Sequence, residues 1–220
     1  MQKHSFVNVS HDCPLCPRLV EFRRQNQQKY PTYFNGPVPV FGGVEARFAI
    51  VGLAPGLHGA NQTGRPFTGD YAGELLYKVL KTHDFATGHY GRVKNDGFDL
   101  KDCKIINAVR CVPPANKPIG AEINKCRPFL LQELQMMKNL QAILVLGNIA
   151  HQSFLRAINL RVSQYAFGHG LRYKLGDHHA LAKPLILFTS YHCSRYNVNT
   201  NRLSEAMFDQ VIQSIRQHLD

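Results

Sequence analysis

The sequence predicts an α/β fold, an open parallel sheet with helices on both faces, and three observations predict it. Four short apolar runs have the length of strands buried on both sides. Helical patterns separate them, so β and α elements alternate. Three of the runs end in segments rich in Gly, Pro, Asn and His, as expected where a parallel sheet offers its carboxyl ends to a ligand.

In chain order, the first strand is expected at Phe48 to Leu53 and runs into GLAPGLHGANQTGRPFTGD, with a helix from Ala72 to Thr82 behind it. Residues 84–104 are polar and Gly-containing and read as an irregular excursion without a legible role. The second strand, Lys104 to Val109, runs into NAVRCVPPANKP and a helix from about Gly120 to Leu140. A third strand, Ala142 to Gly147, precedes a helix from Asn148 to Ile158, and a fourth, Leu185 to Ser190, ends in SYHCSRYNVNTNRL. Leu203, Met207, Val211, Ile215 and Leu219 recur every fourth residue and put one apolar stripe on a C-terminal helix, read as core packing. There is no internal repeat.

The 220 residues suit one domain over 1–220 with a sizeable core. Lys and Arg outnumber Asp and Glu by 26 to 15, and the formal charge of +11 favours a polyanionic partner such as nucleic acid. No stretch reaches the ~18 apolar residues of a membrane span. The N-terminus MQKHSFVNVSHD lacks a secretory core, so a cytoplasmic location is expected. In that reducing compartment the six cysteines read as metal ligands, redox groups or buried thiols rather than disulfides.

Cys13 and Cys16 form a C-x-x-C at the start of an expected helix, Cys111 follows the second strand, and Cys126 lies fifteen residues further on. Four thiolates suffice for zinc or for an iron–sulfur cluster, which spacing alone does not tell apart, and the bland alternative is scattered buried thiols. Joining Cys16 to Cys111 closes a loop of about 95 residues, worth about 4 kcal/mol of unfolded-state entropy. Cys103, before the second strand, reads as a buried thiol.

Four ordered blocks carry a likeness to a known family: the early C-x-x-C, the GLAPGLHGANQTGRPFTGD block, the NAVRCVPPANKP block with its later Cys126, and HCSRYNVNTNRL. Over nearly its whole length the chain resembles the iron–sulfur uracil-DNA glycosylases, in particular their family 5, or B-type, branch. The resemblance implies a three-layer α/β/α sandwich around a four-stranded parallel sheet. It also implies a structural [4Fe-4S] cluster on Cys13, Cys16, Cys111 and Cys126, and a monomer acting on DNA with no membrane partner.

It further implies base flipping, in which the target nucleotide leaves the duplex before its glycosidic bond is cut. By likeness, Phe67 stacks on the everted uracil, where an ordinary reading makes it core packing. Asn107, at the end of the second strand, offers the donor and acceptor that complement uracil's O4 and N3–H; the alternative is an Asn capping its own loop. His192 is similar to the family's motif histidine and is expected to donate to O2 as charge develops on the leaving base. Asn116 matches a polar position of the family.

Leu53 stands where other branches place a carboxylate, which leaves Asp70 as the candidate to position water and face the cationic sugar. Asp70 reads equally as a helix cap, and the two roles can coexist. Backbone groups of Ala54 and Gly56 are expected near uracil O2, with His58 lining the pocket. Arg195, Tyr196 and Arg202 are candidates for DNA backbone contact or for filling the vacated stack. Two positions depart from the family pattern: Cys193 replaces a usual Pro, and Asn201 replaces a usual Gly, whose left-handed conformation Asn can adopt. No Lys in the blocks sits as a nucleophile, so a monofunctional hydrolase is expected. Two other readings stand beside it: a non-catalytic cluster-bearing DNA-binding module, and a zinc nuclease or phosphotransferase, which lacks an Asp/Glu/His cluster suited to catalytic metals.

Overall fold

The computed structural model describes residues 9–220. The first eight residues, part of the segment read as lacking a secretory core, lie outside the described residues. In chain order the elements are α1 (Pro17–Lys29), β1 (Phe48–Gly52), α2 (Ala60–Thr63), α3 (Tyr71–Thr82), β2 (Ala86–Thr87), β3 (Asp99–Leu100), β4 (Cys103–Asn107) and α4 (Gly120–Met136). They continue with β5 (Ala142–Leu146), α5 (Asn148–Ala157), β6 (Arg172–Leu175), β7 (Leu185–Ser190), α6 (Arg195–Asn199) and α7 (Glu205–Leu219).

The central sheet has the order β4-β1-β5-β7-β6. Its first four strands are parallel and correspond to the four apolar runs. The expected four-stranded parallel sheet is corrected to five strands, because β6 adds antiparallel to β7 at one edge. Three of its four residues, Arg172, Tyr173 and Lys174, keep contact with solvent, so no apolar run announces it. At the opposite edge the backbone of Phe41 exchanges two hydrogen bonds with Ile105, covering the exposed side of β4.

Each parallel strand is buried on both faces, and its period of two sorts side chains into two cores. Phe48, Ile50, Leu144 and Phe188 face α3 and α7, whereas Ala49, Val51, Val145 and Leu187 face α4 and α5. Each fully buried large apolar side chain contributes roughly 1.5–3 kcal/mol. Helix α7 buries Phe208, Val211, Ile212, Ile215 and Leu219, so the fourfold repeat is core packing, with Phe208 rather than Met207 in the centre. Its N-cap Ser204 accepts from the Met207 amide at 3.1 Å.

Helix α1 opens at Pro17, whose fixed φ suits a first helical position, and Cys16 directly precedes it. Helix α4 stops at Met136, four residues earlier than expected, because the chain must turn before entering β5 at Ala142. No helix among the described residues is long and apolar enough to cross a membrane.

Candidate active site

The carboxyl ends of β1, β4 and β7 bring three loops around one cavity of about 270 Å³, a size suited to a single nucleobase. Phe67, Asp70, Asn107 and His192 line it together with Leu53, Ala54, Gly56 and Asn116. Parallel register makes this convergence possible, since Asn107 at the end of β4 lies opposite Gly52 at the end of β1. A Cβ on Gly52 would stand 2.5 Å from Asn107 Oδ1 and 3.0 Å from the Phe67 ring, so only glycine lets amide and ring approach this closely.

Asn107 is 4% exposed, and its side-chain amide makes no hydrogen bond among the described residues. It does not cap its own loop, and both amide groups remain available to a ligand. Phe67 is buried and its ring lies 5.7 Å from the His192 ring at 24°. Its φ is +52°, a left-handed conformation unusual for a bulky residue.

His192 follows β7 and is half-buried. Its backbone carbonyl accepts from Asn197 Nδ2 at 2.8 Å, which fixes the loop that presents the ring. Burial lowers the imidazole from its ordinary value, against the opposing pull of the Asp70 carboxylate. The ring is therefore neutral near pH 7 and presents one N–H donor.

Asp70 is the N-cap of α3: its Oδ1 accepts from the Gly73 amide at 3.1 Å. Oδ2 makes no hydrogen bond among the described residues and leans toward Gly56 and Gly59. One carboxylate thus supports a helix with one oxygen and faces the cavity with the other. Beside it, the amides of Ala54 and Gly56 donate no hydrogen bond among the described residues. Asn116 sits exposed at the mouth, in the short helical turn Pro114–Asn116, with φ +55°.

His58 is placed otherwise than expected. It is exposed, absent from the cavity wall, and its Nδ1 pairs with Tyr33 Oη at 3.1 Å while its ring meets Tyr30 edge-on at 5.4 Å. Pro55, Ala60 and Ser194 line the cavity without having been anticipated. Ser194 is the N-cap of α6, its side chain accepting from the Asn197 amide, and a Ser ahead of a short helical turn was the signal available for that cap.

Around the rim, α6 carries Arg195 and Tyr196. Tyr196 is 72% exposed, and the Arg195 guanidinium lies 5.4 Å from the Tyr71 ring, next to Asp70. Arg202 lies 4.6 Å from the Tyr191 ring, next to His192. All three are exposed and follow β7 in the same terminal segment as the cavity-lining His192 and Ser194.

A second convergence lies behind Ala54. Cys16, Cys111 and Cys126 share an apolar cluster with Leu19 and Val109, against which Ala54 also packs. Burial pushes the Cys111 thiol up to about 12, with Cys126, Cys13 and Cys16 adding to it against Arg23. Cys16 is pushed up to about 11 by burial, then by Cys126, Glu122 and Cys13. The four cysteines thus sense one another, although no group of three or more His, Cys, Asp or Glu among the described residues is placed to hold a metal ion. Cys103 is buried outside this set.

Residues 39–216 match the model of the uracil DNA glycosylase superfamily. The chain belongs to this superfamily. It is 38% identical over 222 residues to the type-5 uracil-DNA glycosylase of Thermus thermophilus, covering 98% of both chains. It is 34% identical to the type-5 enzyme of Pyrobaculum aerophilum, over 94% of this chain and 89% of that one. A type-4 uracil-DNA glycosylase of Saccharolobus solfataricus is 24% identical over 89% of this chain.

As a superfamily member the chain keeps its two departures in ordered geometry. Cys193 is fully buried, and its Sγ donates to the Ala72 carbonyl at 3.4 Å, so a thiol ties the terminal loop to α3 where a ring was expected. Asn201 has φ +55° and takes the left-handed conformation expected of it.

Proposed function

We propose that this chain is a monofunctional uracil-DNA glycosylase of the type-5 branch, a single-domain monomer that removes uracil and other deaminated bases from DNA in the cytoplasm, at the nucleoid. The observation that carries this reading is that Phe67, Asn107 and His192, from three loops, face one base-sized cavity in a chain of this superfamily.

Flipping a nucleotide costs a few kcal/mol. Phosphate contacts from Arg195 and Arg202 offset part of that cost, and exposed Tyr196 fills the vacated stack. The everted base lies against Phe67. Asn107 accepts from N3–H and donates to O4, a pairing that cytosine cannot satisfy. As the bond from C1′ to N1 lengthens, electrons move into the base, and the neutral His192 N–H and the free amides of Ala54 and Gly56 stabilise the anion at O2. Asn116, at the cavity mouth, adds a polar contact. Asp70 Oδ2 orients a water toward C1′ and faces its positive charge. The water oxygen bonds to C1′, its proton leaves to solvent, and the base departs to be protonated, which leaves an abasic site.

Cys13, Cys16, Cys111 and Cys126 would hold the [4Fe-4S] cluster. Cys16, Cys111 and Cys126 meet in one apolar cluster where burial raises all three thiols, which suits a multi-iron group that takes up thiolates and releases their protons. The cluster supplies structural cross-linking.

The test is alkali cleavage of an end-labelled uracil-containing duplex after single-turnover incubation. Strand breaks are expected with the native chain, and about 100-fold slower base release with Asn107→Ala at unchanged DNA affinity. Tight binding with no breaks would instead identify a DNA-binding module without catalysis, the reading that the missing carboxylate at Leu53 favours.

A further inference from the structure

The hairpin between α3 and β4 lines no part of the cavity, yet it reaches beneath the turn that carries Phe67. β2 and β3 pair antiparallel and project residues 88–98 toward Arg65, two positions before Phe67. The Arg65 guanidinium lies 5.2 Å from the ring of Phe41, 5.8 Å from Tyr77, 5.7 Å from Tyr90 and 5.7 Å from Phe98. Inside this cage it forks onto Asp96, with Nη1 to Oδ1 and Nη2 to Oδ2 both at 2.8 Å, while its Nε donates to Thr68 Oγ1 at 2.7 Å. Asp96 also accepts from the amides of Gly91 at 2.8 Å and Phe98 at 3.0 Å. Both ionic side chains are 4% exposed.

Two tyrosine hydroxyls fasten the turn itself. Tyr77 donates to the Pro66 carbonyl, and Tyr90 donates to the Phe67 carbonyl at 3.3 Å and accepts from the Gly69 amide at 3.2 Å. Burial would raise the Asp96 carboxyl, but hydrogen bonds from Arg65, Phe98 and Gly91 outweigh it and hold the group well below the carboxylate range.

A buried ion pair adds little stability over apolar packing of equal volume, so stability alone does not account for this arrangement. Its fixed fork and fixed hydroxyls do account for Phe67, whose left-handed φ persists only where its surroundings over-determine it.

We propose that Arg65, Asp96 and Tyr90 are positioning residues for base removal, holding the Phe67 backbone in its left-handed conformation so that the ring meets the everted base face-on. The proposal rests on Phe67 being the stacking residue.

Single-turnover rates on a uracil duplex test it through a double-mutant cycle. Phe67→Ala and Asp96→Asn are each expected to slow base release about 10-fold, and Tyr90→Phe roughly 3-fold. In the Phe67→Ala background neither second change should cost more than about 2-fold, although each should lower the melting temperature as much as it does alone. Tyr90→Phe removes a single hydroxyl and keeps the test open should Asp96→Asn not fold. Unchanged rates in folded Asp96→Asn and Tyr90→Phe, or losses that multiply in the Phe67→Ala background, would overturn the positioning role and leave stacking intact. A fully active Phe67→Ala would remove the stacking reading, and this proposal with it.

Discussion

The cavity and the cysteine corner are both assembled from segments far apart in sequence, but they gather opposite kinds of chemistry. The cavity brings together unlike groups: a ring, an imidazole, an amide and a carboxylate, the last keeping one oxygen without a partner among the described residues. The corner brings together like groups, the thiols of Cys16, Cys111 and Cys126, in one apolar cluster. Unlike groups can wait in a folded protein for a substrate. Buried like thiols gain a use only when a thiolate-binding group takes their protons, so under the proposed function the corner belongs to stability and the cavity to rate.

The largest expected effect lies in the corner. Cys111→Ala should abolish iron binding and remove a cross-link worth about 4 kcal/mol, seen as lost brown colour and a lower melting temperature. Normal iron content in that variant would break the comparison. In the cavity, His192→Ala should slow base release about 100- to 1,000-fold while iron content and duplex affinity stay as they were. Loss of iron in His192→Ala would show that the two regions are not separable.

Smaller effects sharpen the boundary. Arg195→Ala and Arg202→Ala should each weaken duplex binding and reduce the slope of log affinity against log salt by about 0.9, with single-turnover rates at saturation little changed. The smallest effect concerns pH. Burial lowers the His192 imidazole, so the folded state binds its proton less readily than the unfolded chain, and the stability from this group is complete above about 6.5 and lost as pH falls below that. Between pH 7 and 5 the native chain should therefore lose melting temperature faster than His192→Gln. Parallel curves would mean that the ring sits in a water-like environment.

Much of this organisation was legible in the residues. Alternation of apolar runs with helical patterns located the four parallel strands, because burial on both faces leaves a continuous apolar signature. Asp70 as a cap followed from its place before an apolar stripe. What escaped depends on contacts across long intervals. β6 keeps three of its four residues in contact with solvent and so carries no apolar run, and the excursion after α3 is opaque because Asp96 is 31 residues from its partner Arg65. His58 shares the loop of Ala54 and Gly56, which makes a pocket position the natural expectation, yet Tyr30 and Tyr33, at the end of α1 and just after it, hold it outside the cavity wall. Departures from the family pattern were visible by identity but not by consequence: the Cys193 contact with Ala72 exists only once α3 is folded.

Ala54 belongs to both regions: it lines the cavity and packs against the apolar cluster that gathers Cys16, Cys111 and Cys126. A larger side chain at residue 54 would have to find its room in the cavity or in the cluster, so under the proposed reading the two regions compete for the same space there.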